Sequence, residues 1–80
     1  MTFNSYKVRI HLTEEWVEQN EQYDEVDTWY SDNIDGTWKD FIWSGLAALG
    51  YLIDTEAWDY AEAVSPDGKV LYYVENGDEY

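Results

Sequence analysis

Between Ile10 and Trp38 the chain has no lysine or arginine, yet Glu14, Glu15, Glu18, Glu21, Asp24, Glu25, Asp27, Asp32 and Asp35 all fall there. Glu14, Glu18, Glu21 and Glu25 step by four, three and four residues, which stacks side chains on one face of an α-helix. On a helical wheel they occupy an arc of roughly 60°, opposite Trp16 and Tyr23. Consecutive carboxylates on such a face lie ~4.5–6 Å apart along the axis. Phosphates on one DNA strand are spaced comparably, at about 3.4 Å of axial rise each plus the helical arc. Like charges one turn apart cost ~0.2–0.5 kcal/mol each, and no lysine is interleaved to offset them. A rigid row of this kind suits a basic groove built for a nucleic-acid backbone. Glu14, Glu18, Glu21 and Glu25 are the candidate partner-binding row, with Asp24, Asp32 and Asp35 flanking it.

Other chemistry lacks its parts. His11 is the single histidine, beside Arg9 on a polar strand face, a place for a surface residue rather than a general base. No Ser-His-Asp order, phosphate-cradling glycine loop or histidine-rich metal spacing occurs. Asn33-Ile34-Asp35-Gly36 resembles the middle of an EF-hand loop. With Gly36 at the sixth position, however, Ser31 and Ile42 occupy the first and last, where carboxylates are required. Without cysteine there is no thiolate ligand, thiol nucleophile or disulfide. The expectation is a non-enzyme with no metal and no cofactor.

The elements that must hold the acidic row are readable from periodicity. Tyr6, Val8, Ile10 and Leu12 alternate with Lys7, Arg9 and His11, the pattern of a half-buried strand over Ser5 to Leu12. Thr13 is placed to cap a helix, with Glu14 and Glu15 in its first turn, where carboxylates favour the helix dipole. The spacing of Trp16, Tyr23, Val26 and Tyr30 predicts that this helix continues to about Tyr30. Ser31 to Gly36 is a break, Thr37 caps a second helix, and Gly50 stops it after Leu49. Trp38, Phe41, Ile42, Gly45, Leu46 and Leu49 form its apolar face. In the C-terminal third, Trp58, Tyr60 and Val64 alternate with Ala57, Ala61 and Ala63; Val70, Tyr72 and Val74 alternate with Leu71 and Tyr73. Ser65-Pro66-Asp67-Gly68 between them carries turn chemistry, so a β-hairpin is expected. The fold class is α+β, in the order β-α-α-β-β, with two helices packed on one face of a small antiparallel sheet.

Eighty residues allow one domain, spanning 1–80, with one modest core. The 18 Asp and Glu against 4 Lys and Arg leave a net charge of −14, which disfavours direct contact with nucleic acid or an anionic membrane. With 45% hydrophobic and 19% aromatic residues the chain can still build a core rather than remain disordered. The absence of a long apolar run or a secretory leader points to a cytoplasmic protein, that of the host cell if phage-encoded. The acidic charge favours a monomer. Trp38 and Trp58 are expected in the core, and Tyr73 and Tyr80 at the surface.

In size, charge and its acidic helix the chain resembles the small acidic inhibitors that phages encode against host defence. Anti-CRISPR and antirestriction proteins of the DNA-mimic type are examples. That resemblance implies a protein inhibitor acting on a CRISPR effector, restriction enzyme or nuclease, with a basic nucleic-acid-binding protein as its partner. Locally, Tyr30-Ser31-Asp32-Asn33-Ile34-Asp35-Gly36-Thr37-Trp38 is similar to the Tyr-x-x-Asn-Leu-Asp-x-x-Trp segment of barstar-type ribonuclease inhibitors. In that family an acidic loop and helix plug a nuclease active site. The likeness implies a contact role for Asp35, with Tyr30 beside it, and packing for Trp38. Lys39 stands where the family has a second contacting aspartate, with Asp40 one place later. From another class, the aromatic surplus admits a non-catalytic carbohydrate-binding module, in which exposed rings stack on sugars.

Overall fold

The computed structural model describes residues 5–21, 24–32, 34 and 36–77. Among the described residues six elements follow one another: β1 (Tyr6–Leu12), α1 (Glu14–Gln19), β2 (Val26–Ser31), α2 (Trp38–Leu49), β3 (Trp58–Val64) and β4 (Val70–Glu75). The strands form one antiparallel sheet in the order β2-β1-β3-β4. This is the expected α+β class. The order differs by one strand, which stands where the first helix was expected to continue.

That helix ends at Gln19. Thr13 caps it as expected, its Oγ1 accepting from Trp16 N at 3.0 Å. Asn20 closes it, and Glu21 turns out of it with a left-handed φ of 53°. Two physical causes oppose continuation. A longer helix would stack Glu14, Glu18, Glu21 and Glu25 one turn apart on a single face with no basic residue to offset their repulsion. Residues 26–31, Val-Asp-Thr-Trp-Tyr-Ser, are also rich in the β-branched and aromatic types that suit a pleated surface. They pair with β1, Val8 opposite Trp29 and Ile10 opposite Asp27, and so cover a strand whose Val8 and Ile10 are fully buried.

Among the described residues only α2 packs across the sheet, meeting all four strands, while α1 closes one end of the core through Trp16 and Val17. The expectation of two helices on one face therefore holds for α2 alone. Thr37 and Asp40 form a capping box at its start, and Gly50, at φ 87°, lets Tyr51 N bond back to Leu46 O at 2.8 Å. Phe41, Ile42, Gly45 and Leu46 face Val8, Ile10, Leu12, Trp58, Ala61, Ala63 and Val74. At Gly45 the helix comes so close that a Cβ would lie 2.9 Å from Trp29 Cε3 and 3.0 Å from Val8 Cβ.

The strand faces follow from the register. Leu12 pairs with Trp58 and His11 with Tyr60, so Asp59 is an extra residue that resets the alternation. Trp58 consequently lies on the core side with Ala61 and Ala63, against the expected separation of those residues, while Tyr60 and Glu62 turn to the other face. Trp38 is half-buried against Tyr6 and Phe41, and Trp58 is buried, in keeping with their expected core roles. Tyr73 is exposed, as expected, and Tyr80 lies outside the described residues.

Candidate acidic interaction surface

The straight helical row does not form. Glu14 and Glu18 remain one turn apart on the exposed side of α1, but Glu21 has left the helix, and Asp24 and Glu25 belong to the approach to β2. The register nevertheless returns them to a common place. β1 ends, β2 begins, β3 begins and β4 ends at the same end of the sheet, because His11 pairs with Val26 and Tyr60, and Tyr60 pairs with Glu75. The α2–β3 connection arrives there too. Main-chain bonds tie the segments together: Leu12 N to Glu25 O at 2.8 Å, Thr13 N to Ala57 O at 2.9 Å and Asn76 N to Asp59 O at 2.8 Å.

This end therefore gathers Glu14, Glu15, Glu18, Glu21, Asp24 and Glu25 with Asp54, Glu56, Asp59 and Glu75, all exposed. The segments that supply them, residues 13–25, 50–59 and 75–77, contain no lysine or arginine. The last four carboxylates were missed by the sequence reading. Their signal was the expected hairpin itself, since a turn at 65–68 puts residues near 59 and 75 side by side. Among the described residues no group of carboxylates or histidine converges as a metal site would, so the charge is spread over a surface.

Asp32 lies at the opposite end of the sheet, just beyond β2, and is separated from the other acids by the length of the strand. Asp35 falls outside the described residues, as do Asn33 of the barstar-like segment and Tyr23 of the expected helix. In that segment Tyr30 is 64% exposed near the end of β2, while Trp38 opens α2. The nine residues thus span a strand end and a helix start.

The sheet face turned away from α2 treats charge differently. Lys7, Arg9 and His11 form a stripe along β1, between Val26, Thr28 and Tyr30 of β2 and Tyr60 and Glu62 of β3. Glu62 Oε1 accepts from Arg9 Nη2 at 2.9 Å and from His11 Nε2 at 2.8 Å, and its side chain is only 13% exposed. His11 stacks on Tyr60 with centroids 4.0 Å apart, and Tyr73 meets Tyr60 edge-on at 6.4 Å. His11 is thus held in a half-buried cluster by its hydrogen bond to Glu62 and its stacking on Tyr60.

A second carboxylate is drawn inward, on the opposite face of the sheet. Asp27, on the core side of β2, accepts from the Tyr51 hydroxyl at 2.8 Å through Oδ2 and from Thr28 N at 3.0 Å through Oδ1. Burial, then the bond to Asp27, then the charges of Asp27 and Asp54 push the Tyr51 hydroxyl well above its ordinary pKa of 10.0. At the hairpin turn, hydrogen bonds from Ser65 Oγ and Lys69 N hold Asp67 below its ordinary 3.8.

Compared with protein-family models, curated proteins and solved structures, the chain has no match. Among the described residues no helix is long and apolar enough to cross a membrane.

Proposed function

We propose that this protein is an inhibitor that binds a basic, nucleic-acid-processing protein and occupies its nucleic-acid site with carboxylates where phosphates would lie. The observation that carries the reading is the acidic end of the sheet. Segments distant in sequence are fixed there by strand pairing, each contributing carboxylates and none a lysine or arginine. Glu14, Glu18, Glu21, Asp24 and Glu25 remain its partner-binding residues, joined by Asp54, Glu56, Asp59 and Glu75. Because these are fixed to a packed sheet, little ordering entropy is lost on binding. The field of the acidic end speeds encounter with a basic partner at low salt, to ~10⁷ M⁻¹s⁻¹ or more, and the rate falls as salt rises. Inhibition proceeds by steric and electrostatic competition, without turnover. The protein acts as a monomer in the cytoplasm of the cell that holds its target.

A tagged pull-down from the native host, washed at low and then moderate salt, tests this. One basic nuclease, restriction subunit or CRISPR effector is expected, released by competing DNA or RNA. The double variant Glu18→Lys/Glu25→Lys is expected to lose that partner while keeping its fold. Equal capture by the variant would remove the acidic end from the interface, and absence of any specific partner would end the inhibitor reading.

A further inference from the structure

Where the acidic end meets the open sheet face, a cavity of about 510 Å³ is lined by Asp59, Tyr60, Tyr73, Glu75 and Asn76. Its polar lining is dominated by acceptors. Both amide hydrogens of Asn76 have carbonyl partners, since Nδ2 donates to Thr55 O at 2.5 Å and Trp58 O at 2.7 Å. The Asn76 side chain thus has only its acceptor oxygen left to offer. Asp59 and Glu75 are carboxylates and accept as well. Glu75 Oε1 lies 3.4 Å from the Tyr73 hydroxyl, which donates toward it. The aromatic walls are Tyr73, 55% exposed, and Tyr60, 38% exposed and backed by His11.

Acceptors, negative charge and ring faces together define a ligand that is cationic, rich in donors and flat. A guanidinium has five donors in a planar fork, no acceptor, and a face that stacks on aromatic rings. A lysine ammonium brings charge without the plane. A saccharide hydroxyl needs donors as well as acceptors, and the side-chain donors left to the lining are the two tyrosine hydroxyls, one of them already directed at Glu75. We infer that this cavity is a receptor for an arginine side chain of the protein's partner, stacked on Tyr73 and bonded through its N–H groups to Glu75 and Asp59. The inference deepens the inhibitor reading and rests on it for the source of the arginine. It also gives the interface a contact that outlasts charge screening, because cation–π attraction and bidentate bonds act at short range.

The test is a titration of the ¹⁵N-labelled protein, followed by amide shifts at 150 mM salt. The probes are N-acetyl-Gly-Arg-Gly-amide, its lysine counterpart and cellobiose. Saturable shifts confined to residues 58–60 and 73–76 are expected with the arginine peptide, with the lysine peptide about fivefold weaker or more. Tyr73→Ala is expected to weaken the arginine peptide by about fivefold, and Glu75→Gln, which leaves the ring in place, by about threefold. Equal binding of the arginine and lysine peptides overturns the inference, as do saturable shifts with cellobiose at the same residues or no saturable shift with any probe. If the peptide fails while a basic protein is still captured from lysate and released by nucleic acid, the inhibitor reading survives and only the arginine receptor falls.

Discussion

At the centre of the open sheet face a single carboxylate, Glu62, is shared by Arg9 and His11 and largely shielded from solvent. At the acidic end of the same sheet, many carboxylates stand in solvent on segments that contain no lysine or arginine. Two of the chain's 4 basic residues, Lys7 and Arg9, lie in the β1 stripe, where Glu62 engages one of them, rather than where the negative charge is densest. Stability alone would distribute them the other way, because interleaved cations relieve repulsion between exposed acids. The difference separates charge that holds the fold together from charge that the fold holds out.

The contrast predicts opposite mutational signs in the two regions. Glu62→Gln should give the largest loss, about 1–3 kcal/mol in chemical denaturation, because it leaves the half-buried Arg9 without its counter-charge. A loss under about 0.5 kcal/mol would mean that the cluster is only a surface pair. Tyr51→Phe should come next, at about 1 kcal/mol, since it strands Asp27 Oδ2 against the core. This second site also has a pH signature. The folded-state pKa of Tyr51 is raised, so the stability it contributes is full below about pH 10 and is lost as pH rises beyond that. The Phe variant should therefore lose less stability than the parent between neutral and strongly alkaline pH; parallel curves would deny the Tyr51–Asp27 bond its part.

How much of this was legible in the sequence depended on whether a segment's fate was local. The alternation of β1, the Thr37 cap and Gly50 stop of α2, and the Pro66-Asp67-Gly68 turn are decided by neighbours in the chain, and each reads correctly. Residues 26–31 are different. Val26 and Tyr30 fit one face of a helix at four-residue spacing, and also one face of a strand at two-residue spacing. The tie is broken by β1, whose free edge and buried Val8 recruit a partner, and no window of sequence contains that contact. Asp59 likewise looks like an ordinary strand residue until the pairing with β1 makes it the extra one. The acidity of residues 14–25 survived the loss of its helix because the sheet register gathers chain segments by their ends. The spacing of the carboxylates changed, while their location in one region of the molecule did not.

The smallest stability effect lies at the acidic end, and its sign is its value. Glu18→Lys, near the C-terminal end of α1, replaces repulsion from Glu14, Glu15 and Glu21 with attraction to them. Exposed charges are screened, so the gain should be only about 0.3–1 kcal/mol at low ionic strength. Salt separates this from a change in helix propensity, which Glu and Lys share closely. Raising salt to about 0.5 M shortens the Debye length to roughly 4 Å and should stabilise the parent more than the variant, so the two denaturation midpoints converge. A loss of stability in the variant would mean that the acidic end already carries compensating contacts. It would then belong, with Glu62, to the charges that hold the fold together.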